Sequence, residues 1–313
     1  MRAVVIHEGD LRWEERPDPE PADTQLVVAV AAAGVNGADL VQRRGRYPAP
    51  PGWPQDVPGM ELAGTVTAVG PRVTRFAPGD RVMGLVGGGG QATAAMVDET
   101  AAMAVPPGTG WPEAGGFPEV FATAHDALFT QGGLALGERV LVTGAAGGVG
   151  VAGVQLAACA GARVVASVRD PARREGVAGL GAAAVVDPAG VAAHGPYDVV
   201  LELVGAPSLD AALGALAPGG RVVVIGVGGG SRMELDLFRL MAARARIAGS
   251  TLRSRSREEK AAVVAAVEAH VLPLLAEGRV RVPVCGTFPM AEAAAAYERF
   301  GQGSKLGKVV LLT

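Results

Sequence analysis

The sequence predicts an α/β protein in which a β-rich domain precedes a doubly wound parallel sheet, and three observations predict it. Before residue 118 the apolar runs are short and interrupted by Gly and Pro, as in strands joined by turns. After it, continuous Val, Ile and Leu runs alternate with helical patterns, which indicates parallel strands covered on both faces. A glycine-rich turn, "LVTGAAGGVGV" (141–151), joins one such strand to its helix.

The first 117 residues contain mainly strand patterns. The opening "MRAVVIHEGD" predicts a short strand and turn, and "GADLVQRRG" is the one short helix candidate. The other strand-like runs are "QLVVAVAAAGVN", "AGTVTAVG" and "FAPGDRVMGLV". Because Gly and Pro interrupt these runs so often, we expect an irregular β domain.

Residues 118–255 open with the helix "EVFATAHDALFTQG" and then alternate between strands and helices. The predicted strands are "RVLVTGA", "RVVASV", "AAVVD", "YDVVLELVG", "RVVVIGVGG" and "RIAGSTL". The helices between them are "GVGVAGVQLAACAG", "PARREGVAGLG", "PSLDAALGALAPGG" and "LDLFRLMAAR", the third ending in a Pro-Gly-Gly stop. This alternation predicts a nucleotide-binding domain.

Residues 256–313 are too few for a domain of their own. They predict one long helix, "REEKAAVVAAVEAHVLPLLAEG", then strand and turn features in "RVRVPVCGTF", a helix "MAEAAAAYERF" and a final strand "GKVVLLT". We expect this tail to fold back onto the first part. The first domain is then discontinuous, 1–117 with 256–313, and the second is 118–255.

Composition excludes several classes of function. The 313 residues carry a net charge of −3 without a basic patch, which argues against a nucleic-acid partner. No apolar run is long enough for a bilayer span, so we expect a cytoplasmic protein without a membrane partner. Cys159 and Cys285 are interpreted as buried thiols, and no metal-ligand spacing occurs.

The glycine-rich turn has the context of a dinucleotide-binding fingerprint. Ala145, Gly147 and Gly150 align with the three glycines of G-x-G-x-x-G, the first being replaced by Ala. Gly147 would let the backbone approach a pyrophosphate, and Gly150 would let the helix pack on the strand. The helix N-terminus would offer free N–H groups to the phosphates. The predicted contacts at this turn are Ala146, Gly147, Gly148 and Val149.

The choice of nicotinamide cofactor depends on the end of the next strand, "VVASVRDPARR". NAD-binding proteins usually place an acidic residue where Ser167 stands. Arg169, Arg173 and Arg174 could instead pair with a 2′-phosphate. The alternative is that these arginines are solvated, and Asp170 complicates the charge balance. The pattern favours NADPH over NADH.

Several segments together carry a resemblance to a known family. They are "AAGVNGADLVQRRGRYP", "DVPGMELAGTVTAVG", "PGDRVMGL", "GGGGQATAAMV" and "STLRSRS". Over essentially its whole length the chain resembles the medium-chain dehydrogenase/reductase superfamily, in its zinc-free NADPH:quinone oxidoreductase (zeta-crystallin-like) branch. The resemblance implies a GroES-like catalytic domain and a Rossmann NADPH-binding domain, with the active site in the cleft between them.

The chain departs from the zinc-dependent alcohol dehydrogenases where their ligands would stand. Asn36 takes the place of a Cys ligand, and Met60 takes the place of a His. The Cys-rich lobe that holds structural zinc is also missing, since "GLVGGGGQATAAM" contains no cysteine. We therefore expect no metal, and alcohol dehydrogenation is a poor fit.

Hydride transfer to a quinone or an electron-poor carbon leaves negative charge on the acceptor oxygen, which the protein must stabilise. Asn36 can donate from its amide, Tyr47 from its phenol, and Arg253 can supply charge. The resemblance implies that the Asn36 and Tyr47 segments line the substrate cleft. The alternatives are an Asx-type turn for Asn36 and a ring packed beside Pro48 for Tyr47.

Further cofactor contacts follow from the resemblance and from the carboxyl edge of the parallel sheet. Thr123 stands where the family's interdomain helix meets the nicotinamide, and Glu119 begins that helix in either a capping or a functional role. The remaining predicted cofactor contacts are Asn36, Val204, Gly226, Val227, Gly228, Leu252 and Arg253.

Three functions remain open. The first is hydride transfer from NADPH to a quinone or similar activated carbonyl acceptor. The second is NADPH-dependent reduction of an enone or 2-enoyl thioester, as in secondary-metabolite tailoring, with Tyr47 as the proton donor. The third is NADPH binding without turnover. In resembling proteins the Rossmann sheet edge pairs with a second subunit, so we expect a homodimer through an exposed edge near "RVVVIGVG".

Overall fold

The computed structural model describes all 313 residues, which form two compact units. Unit 1 comprises Met1–Ala122, Leu252–Gly303 and Lys308–Thr313, and unit 2 comprises Thr123–Thr251 with Ser304–Gly307. The sequence placed these boundaries after residues 117 and 255. Leu252 and Arg253, expected in the second domain, therefore lie in unit 1, and four residues of the tail lie in unit 2.

Fifteen strands and ten α-helices build the two units. The strands are β1 (Arg2–His7), β2 (Asp10–Glu15), β3 (Gln25–Val35), β4 (Glu61–Val69), β5 (Arg81–Leu85), β6 (Ala94–Asp98), β7 (Ala102–Ala104), β8 (Arg139–Val142), β9 (Arg163–Ser167), β10 (Ala184–Val186), β11 (Tyr197–Glu202), β12 (Leu216–Val224), β13 (Arg246–Gly249), β14 (Val284–Pro289) and β15 (Lys308–Leu312). The helices are α1 (Gly37–Arg43), α2 (Trp111–Gly115), α3 (Pro118–His125), α4 (Gly148–Cys159), α5 (Arg174–Ala178), α6 (Ala206–Gly214), α7 (Leu237–Ala243), α8 (Arg257–His270), α9 (Leu272–Ala276) and α10 (Ala293–Gly301).

Unit 1 is built on a seven-stranded sheet whose main path runs β14-β15-β3-β4-β5-β7, with β6 pairing β3. β15 pairs antiparallel with β3, and β3 pairs antiparallel with β4. The tail of the chain therefore folds back into the first domain, because its last strand completes the sheet. The core of this unit packs Val and Leu side chains of these strands against Tyr297 of α10.

Unit 2 contains a six-stranded parallel sheet in the order β10-β9-β8-β11-β12-β13. Counted from β8, this is the 3-2-1-4-5-6 order of a Rossmann fold, with the topological switch point between β8 and β11. Val and Leu side chains from these strands form its core, with Tyr197 buried among them. The predicted fold class is confirmed: a GroES-like β-rich domain and a Rossmann domain.

Three local predictions are wrong. The long helix after residue 256 is broken at Val271, because Pro273 cannot continue the hydrogen-bond ladder of α8. The Pro-Gly-Gly of "ALAPGG" does not end α6, which stops at Gly214; these residues lie in β12. The edge strands of the sheet are β10 and β13, and β12 is not an edge because it is paired on both sides. None of the helices is long and apolar enough to cross a membrane.

Candidate functional site

The glycine-rich turn of unit 2 presents an open helix N-terminus. Gly147 precedes α4 with an extended backbone (φ −75°, ψ 171°), and no side chain caps the helix. The N–H groups of its first turn, at Gly148, Val149 and Gly150, have no acceptor in the protein. Such amides at the positive end of a helix dipole are suited to bind phosphate.

The three fingerprint positions are under different steric constraints. A Cβ on Gly150 would lie 2.5 Å from the Gly144 carbonyl oxygen and 2.6 Å from the Ala145 Cα. A Cβ on Gly147 would have only the Gly144 oxygen near it, at 3.4 Å. Ala145 is buried, and its N–H donates to the Ser167 carbonyl. Gly150 is therefore required by packing, whereas Gly147 keeps the space in front of the helix open.

A segment from the end of the chain also reaches this turn. The Gly307 N–H donates to the Ala146 carbonyl at 2.8 Å, and Gly307 pairs with Gly147. The Ser304 hydroxyl donates to the Asp170 carboxylate. No motif in the sequence marks Ser304–Gly307 as part of this site, because its contacts lie more than 130 residues away.

The arginines after β9 differ in their partners. Arg174 donates to Asp187 at 2.8 Å and to the Val168 carbonyl, so its guanidinium is held within the protein. The Arg173 Nε lies 3.6 Å from an Asp170 carboxylate oxygen without a hydrogen bond. Arg169 is exposed, and Ser167 is buried at the strand end. Arg169 and Arg173 therefore keep donors for a ligand phosphate.

A buried carboxylate shapes the loops on the carboxyl side of β11 and β12. One oxygen of Glu202 accepts hydrogen bonds from the Val204 and Gly205 N–H groups and from the hydroxyls of Thr143 and Ser208, at 2.6–2.9 Å. The Glu202 carbonyl accepts the Gly226 N–H. These bonds fix the loops that carry four predicted contacts, Val204, Gly226, Val227 and Gly228. Thr123, another predicted contact, is buried in α3.

In unit 1, Asn36 belongs to a buried charge network that the sequence did not predict. Its Oδ1 accepts a hydrogen bond from the Lys308 ammonium at 2.6 Å, and its Nδ2 donates to Glu61 at 2.8 Å. Lys308 also donates to the same Glu61 oxygen at 2.6 Å. Both ions are buried, Glu61 at 0% and Lys308 at 2% exposure. In the sequence, the indication of this network is a single charged residue in each of two apolar runs, "GMELAG" and "GKVVLLT".

Tyr47 and Arg253 are brought together in the same unit. The Arg253 guanidinium donates to the carbonyls of Gly87 and Tyr47 and to the Gln42 side chain, at 2.7–3.1 Å. Its Cζ lies 5.5 Å from the centre of the Tyr47 ring. Tyr47 has a left-handed backbone (φ +58°) and is 36% exposed. Arg253 thus holds the Tyr47 loop in a strained conformation, a feature common at functional sites.

Two further carboxyl groups in unit 1 have raised pKa values. Burial raises the pKa of Asp39 to about 6, although its carboxylate accepts the Asn36 N–H. Burial and the Glu61 charge raise the pKa of Glu119 to about 8. The Glu119 N–H donates to the second oxygen of Glu61 at 2.9 Å, which ties the start of α3 to this network.

The residues where zinc ligands would stand do not fit a zinc ion. Asn36 is bonded to an ammonium, and Met60, the residue before Glu61 in sequence, is a buried thioether. No group of three or more His, Cys, Asp or Glu side chains is placed to hold a metal ion. Lys308 brings a positive charge to Asn36 and Glu61 instead.

Comparison with known proteins gives a family of oxidoreductases that bind a nicotinamide cofactor. Residues 22–132 match the alcohol dehydrogenase GroES-like domain, and residues 148–269 match the zinc-binding dehydrogenase family. Human quinone oxidoreductase is 30% identical over 100% of this chain and 98% of its own length. The chain belongs to the medium-chain dehydrogenase/reductase superfamily.

Other relatives are larger. The spectinabilin polyketide synthase protein NorB of Streptomyces orinoci is 37% identical over 94% of this chain, which spans 14% of that protein. Among solved structures, mycobacterial Rv1454c complexed with NADPH superposes with a TM-score of 0.88 at 27% identity, covering 100% of both chains. An alcohol dehydrogenase superfamily protein from Novosphingobium aromaticivorans gives 0.88 at 30% identity, covering 100% of this chain and 99% of that one.

Proposed function

We propose that this chain is an NADPH-dependent reductase that acts without zinc on an activated carbonyl acceptor, first of all a quinone. The observation that carries the proposal is the donor set at Asn36. A neutral amide, Asn36, and a thioether, Met60, stand where a zinc site would need ligands, so the protein offers the Asn36 hydrogen bond and the Tyr47 phenol rather than a Lewis acid. Such a site suits an acceptor that is already electron-poor.

Bound NADPH supplies the hydride. The open amides of Gly148 and Val149 would bind its pyrophosphate. Arg169 and Arg173, with the Ser167 hydroxyl, would bind the 2′-phosphate, since Arg174 is occupied by Asp187. The NADPH complex of the mycobacterial relative supports this choice of cofactor.

The cofactor assignment is tested by Arg173→Ala. We expect NADPH binding to weaken by about 1–3 kcal/mol and NADH binding to stay the same, because only NADPH carries the 2′-phosphate. Arg163→Ala is the matched control, since Arg163 is exposed at the opposite end of β9. Calorimetric titration with both cofactors measures the difference. Equal losses for NADPH and NADH would remove Arg173 from this role.

The acceptor site is proposed to include Asn36 and Tyr47, with Arg253 holding the Tyr47 loop. Tyr47→Phe removes one hydroxyl and leaves the ring over Arg253. We expect turnover to fall by about 10–100-fold with NADPH affinity nearly unchanged. Unchanged turnover with every active acceptor would show that Tyr47 only packs.

A second candidate acceptor is a 2-enoyl thioester or a simple enone, which the similarity to polyketide synthases favours. NADPH oxidation at 340 nm with 1,4-benzoquinone, 9,10-phenanthrenequinone, an enone and crotonyl-CoA separates the two. Turnover with quinones alone supports the first proposal, and turnover with the enone or thioester alone supports the second. NADPH binding without oxidation by any of them would indicate a binding protein.

The chain is also proposed to form a homodimer through β13, an edge strand of the unit 2 sheet. Ile247 on this strand is partly exposed, and α7 nearby exposes Leu237, Phe238 and Met241. Phe238 is 82% exposed, which is unusual for an aromatic side chain on a single subunit. Pairing of two edges would satisfy the free backbone groups of β13 and cover this apolar surface.

A further inference from the structure

We propose that Lys308 and Glu61 are positioning residues that lock the Asn36 side-chain amide in one orientation, so that Asn36 presents a single N–H donor to the acceptor oxygen. The inference rests on the proposed function, which gives Asn36 its role as donor. It adds the two buried ions that determine which atom of the amide faces the substrate.

Lys308 acts through Asn36 because its own donors are all used. An ammonium has three N–H groups, and three acceptors surround Lys308: the Val35 carbonyl at 3.1 Å, and Asn36 Oδ1 and a Glu61 oxygen at 2.6 Å each. No N–H of Lys308 remains for a substrate. Its positive charge therefore reaches the acceptor only by polarising and orienting the Asn36 amide.

The two ions also exclude the flipped amide. With Oδ1 toward the ammonium and Nδ2 toward the carboxylate, both contacts are attractive. A flip would place the NH2 group against the ammonium and the carbonyl oxygen against the carboxylate, which is repulsive at both ends. Nδ2 has two N–H groups, and Glu61 accepts only one. The other has no acceptor in the protein and is the donor that we assign to the acceptor oxygen.

Glu61 is fixed in turn by its second oxygen, which accepts the Glu119 N–H at 2.9 Å. Three elements therefore converge on the amide: β15 through Lys308, β4 through Glu61, and the start of α3. Because both ions are buried, solvent does not screen their contacts with Asn36. This geometry pre-organises the donor before an acceptor binds.

Asn36 is the only asparagine in the chain, which makes a direct test possible. Protein labelled with ¹⁵N-asparagine shows one side-chain NH2 pair by NMR. In the wild type, we expect one proton shifted downfield and slow to exchange, because it is bonded to Glu61. In Lys308→Met, the buried Glu61 carboxylate loses its counterion and should become protonated, so we expect the downfield proton to move toward the position and exchange rate of a free amide. If the two NH2 signals of Asn36 are the same in Lys308→Met as in the wild type, the proposal is overturned. If Lys308→Met does not fold, the charge-neutral double variant Glu61→Gln/Lys308→Met carries the same measurement and the same expectation.

Kinetics then test whether the orientation matters for turnover. Asn36→Ala should lower kcat by about 100-fold, as for loss of one oxyanion donor, and Lys308→Met by about 10–100-fold. Adding Lys308→Met to Asn36→Ala should lower kcat by less than about twofold more, because Lys308 acts only through the amide. If the kcat of the double variant falls by the product of the two single losses, Lys308 does not act through Asn36 and the positioning role is overturned.

The control is Arg221→Met, which breaks the Arg221–Glu138 ion pair of unit 2. It should lower stability and leave both the Asn36 NH2 pair and kcat unchanged. The two readouts also separate the proposals. If the NH2 pair is released in Lys308→Met but Asn36→Ala turns over normally, the orientation is right and the role of Asn36 in catalysis is wrong.

Discussion

Replacing Gly150 with Ala inserts a methyl group into a contact made entirely of backbone. The new Cβ would lie 2.5 Å from the Gly144 oxygen and 2.6 and 2.7 Å from two atoms of Ala145, none of which can move as a side chain can. Overpacking of this kind costs about 1–3 kcal/mol even where side chains can adjust. Ala gains about 1 kcal/mol of helix propensity over Gly, which offsets only part of the cost.

Gly147→Ala should behave in the opposite way. Its φ of −75° suits Ala, and its Cβ would meet only one atom, at 3.4 Å. Stability should change by no more than about 0.5 kcal/mol. The methyl group would, however, stand where the backbone is proposed to approach the pyrophosphate. We expect NADPH affinity to fall at least about tenfold, or 1.4 kcal/mol.

Calorimetric scans without cofactor and NADPH titrations measure the two effects separately. Gly150→Ala should lower the Tm of unit 2 by about 2–8 °C, while Gly147→Ala leaves it nearly unchanged and loses affinity. Gly179→Ala is the control, since its Cβ would meet only ordinary contacts at 3.7 Å in the same unit. A wild-type Tm for Gly150→Ala would refute the packing argument, and wild-type NADPH binding by Gly147→Ala would refute the phosphate argument.

Two further predictions concern stability and assembly. Asp39 and Glu119 have raised pKa values, about 6 and about 8, so the stability they contribute is complete below about pH 4 and is lost as pH rises to about 8. Urea titrations at pH 5 and pH 8.5 measure the free energy of unfolding of Glu119→Gln and of the wild type. The difference between the two proteins should shift by about 1–3 kcal/mol in favour of the variant as pH rises from 5 to 8.5. A difference that stays constant with pH would contradict the raised pKa. Phe238→Asp should shift the protein from dimer to monomer in gel filtration with scattering, and a wild-type protein that is already monomeric would exclude the β13 dimer.

The Rossmann unit was predictable because its information is local. Each strand and helix is a continuous apolar run or a periodic pattern, and the 3-2-1-4-5-6 order follows from right-handed crossovers between them. The helix break at Val271 could also have been predicted from the sequence, since Pro273 lies inside the predicted helix. The edge strand was not, because β12 and β13 have similar patterns and only the pairing shows which one is outermost.

The charge network could not be derived from the sequence in the same way. Glu61 and Lys308 are 247 residues apart and meet only because β15 and β4 both pair with β3. A lone Lys at the start of a final strand is usually a surface residue, so its burial follows from the topology and not from its neighbours. The sequence did single out Asn36, but as an isolated donor. The structure adds the two ions that hold it.

The same network limits which acceptors are chemically suited to the site. A zinc ion can bind an acceptor oxygen directly and carry the charge that develops there. Lys308 cannot, because Glu61, Asn36 and Val35 take all three of its N–H groups. Of the residues proposed to contact the acceptor in unit 1, Asn36 would offer a neutral amide N–H and Tyr47 a hydroxyl, so the proposed site favours an acceptor that delocalises most of the charge itself.

Quinones and 2-enoyl thioesters both delocalise that charge, but they differ in the proton that follows. A reduced quinone is protonated on oxygen, which water does readily. A reduced enoyl thioester needs a proton on carbon, delivered by a positioned acid. Loss of the Tyr47 hydroxyl should therefore lower turnover less for the quinone than for the enoyl thioester, and the ratio of the two losses in Tyr47→Phe indicates the chemistry for which this site is arranged.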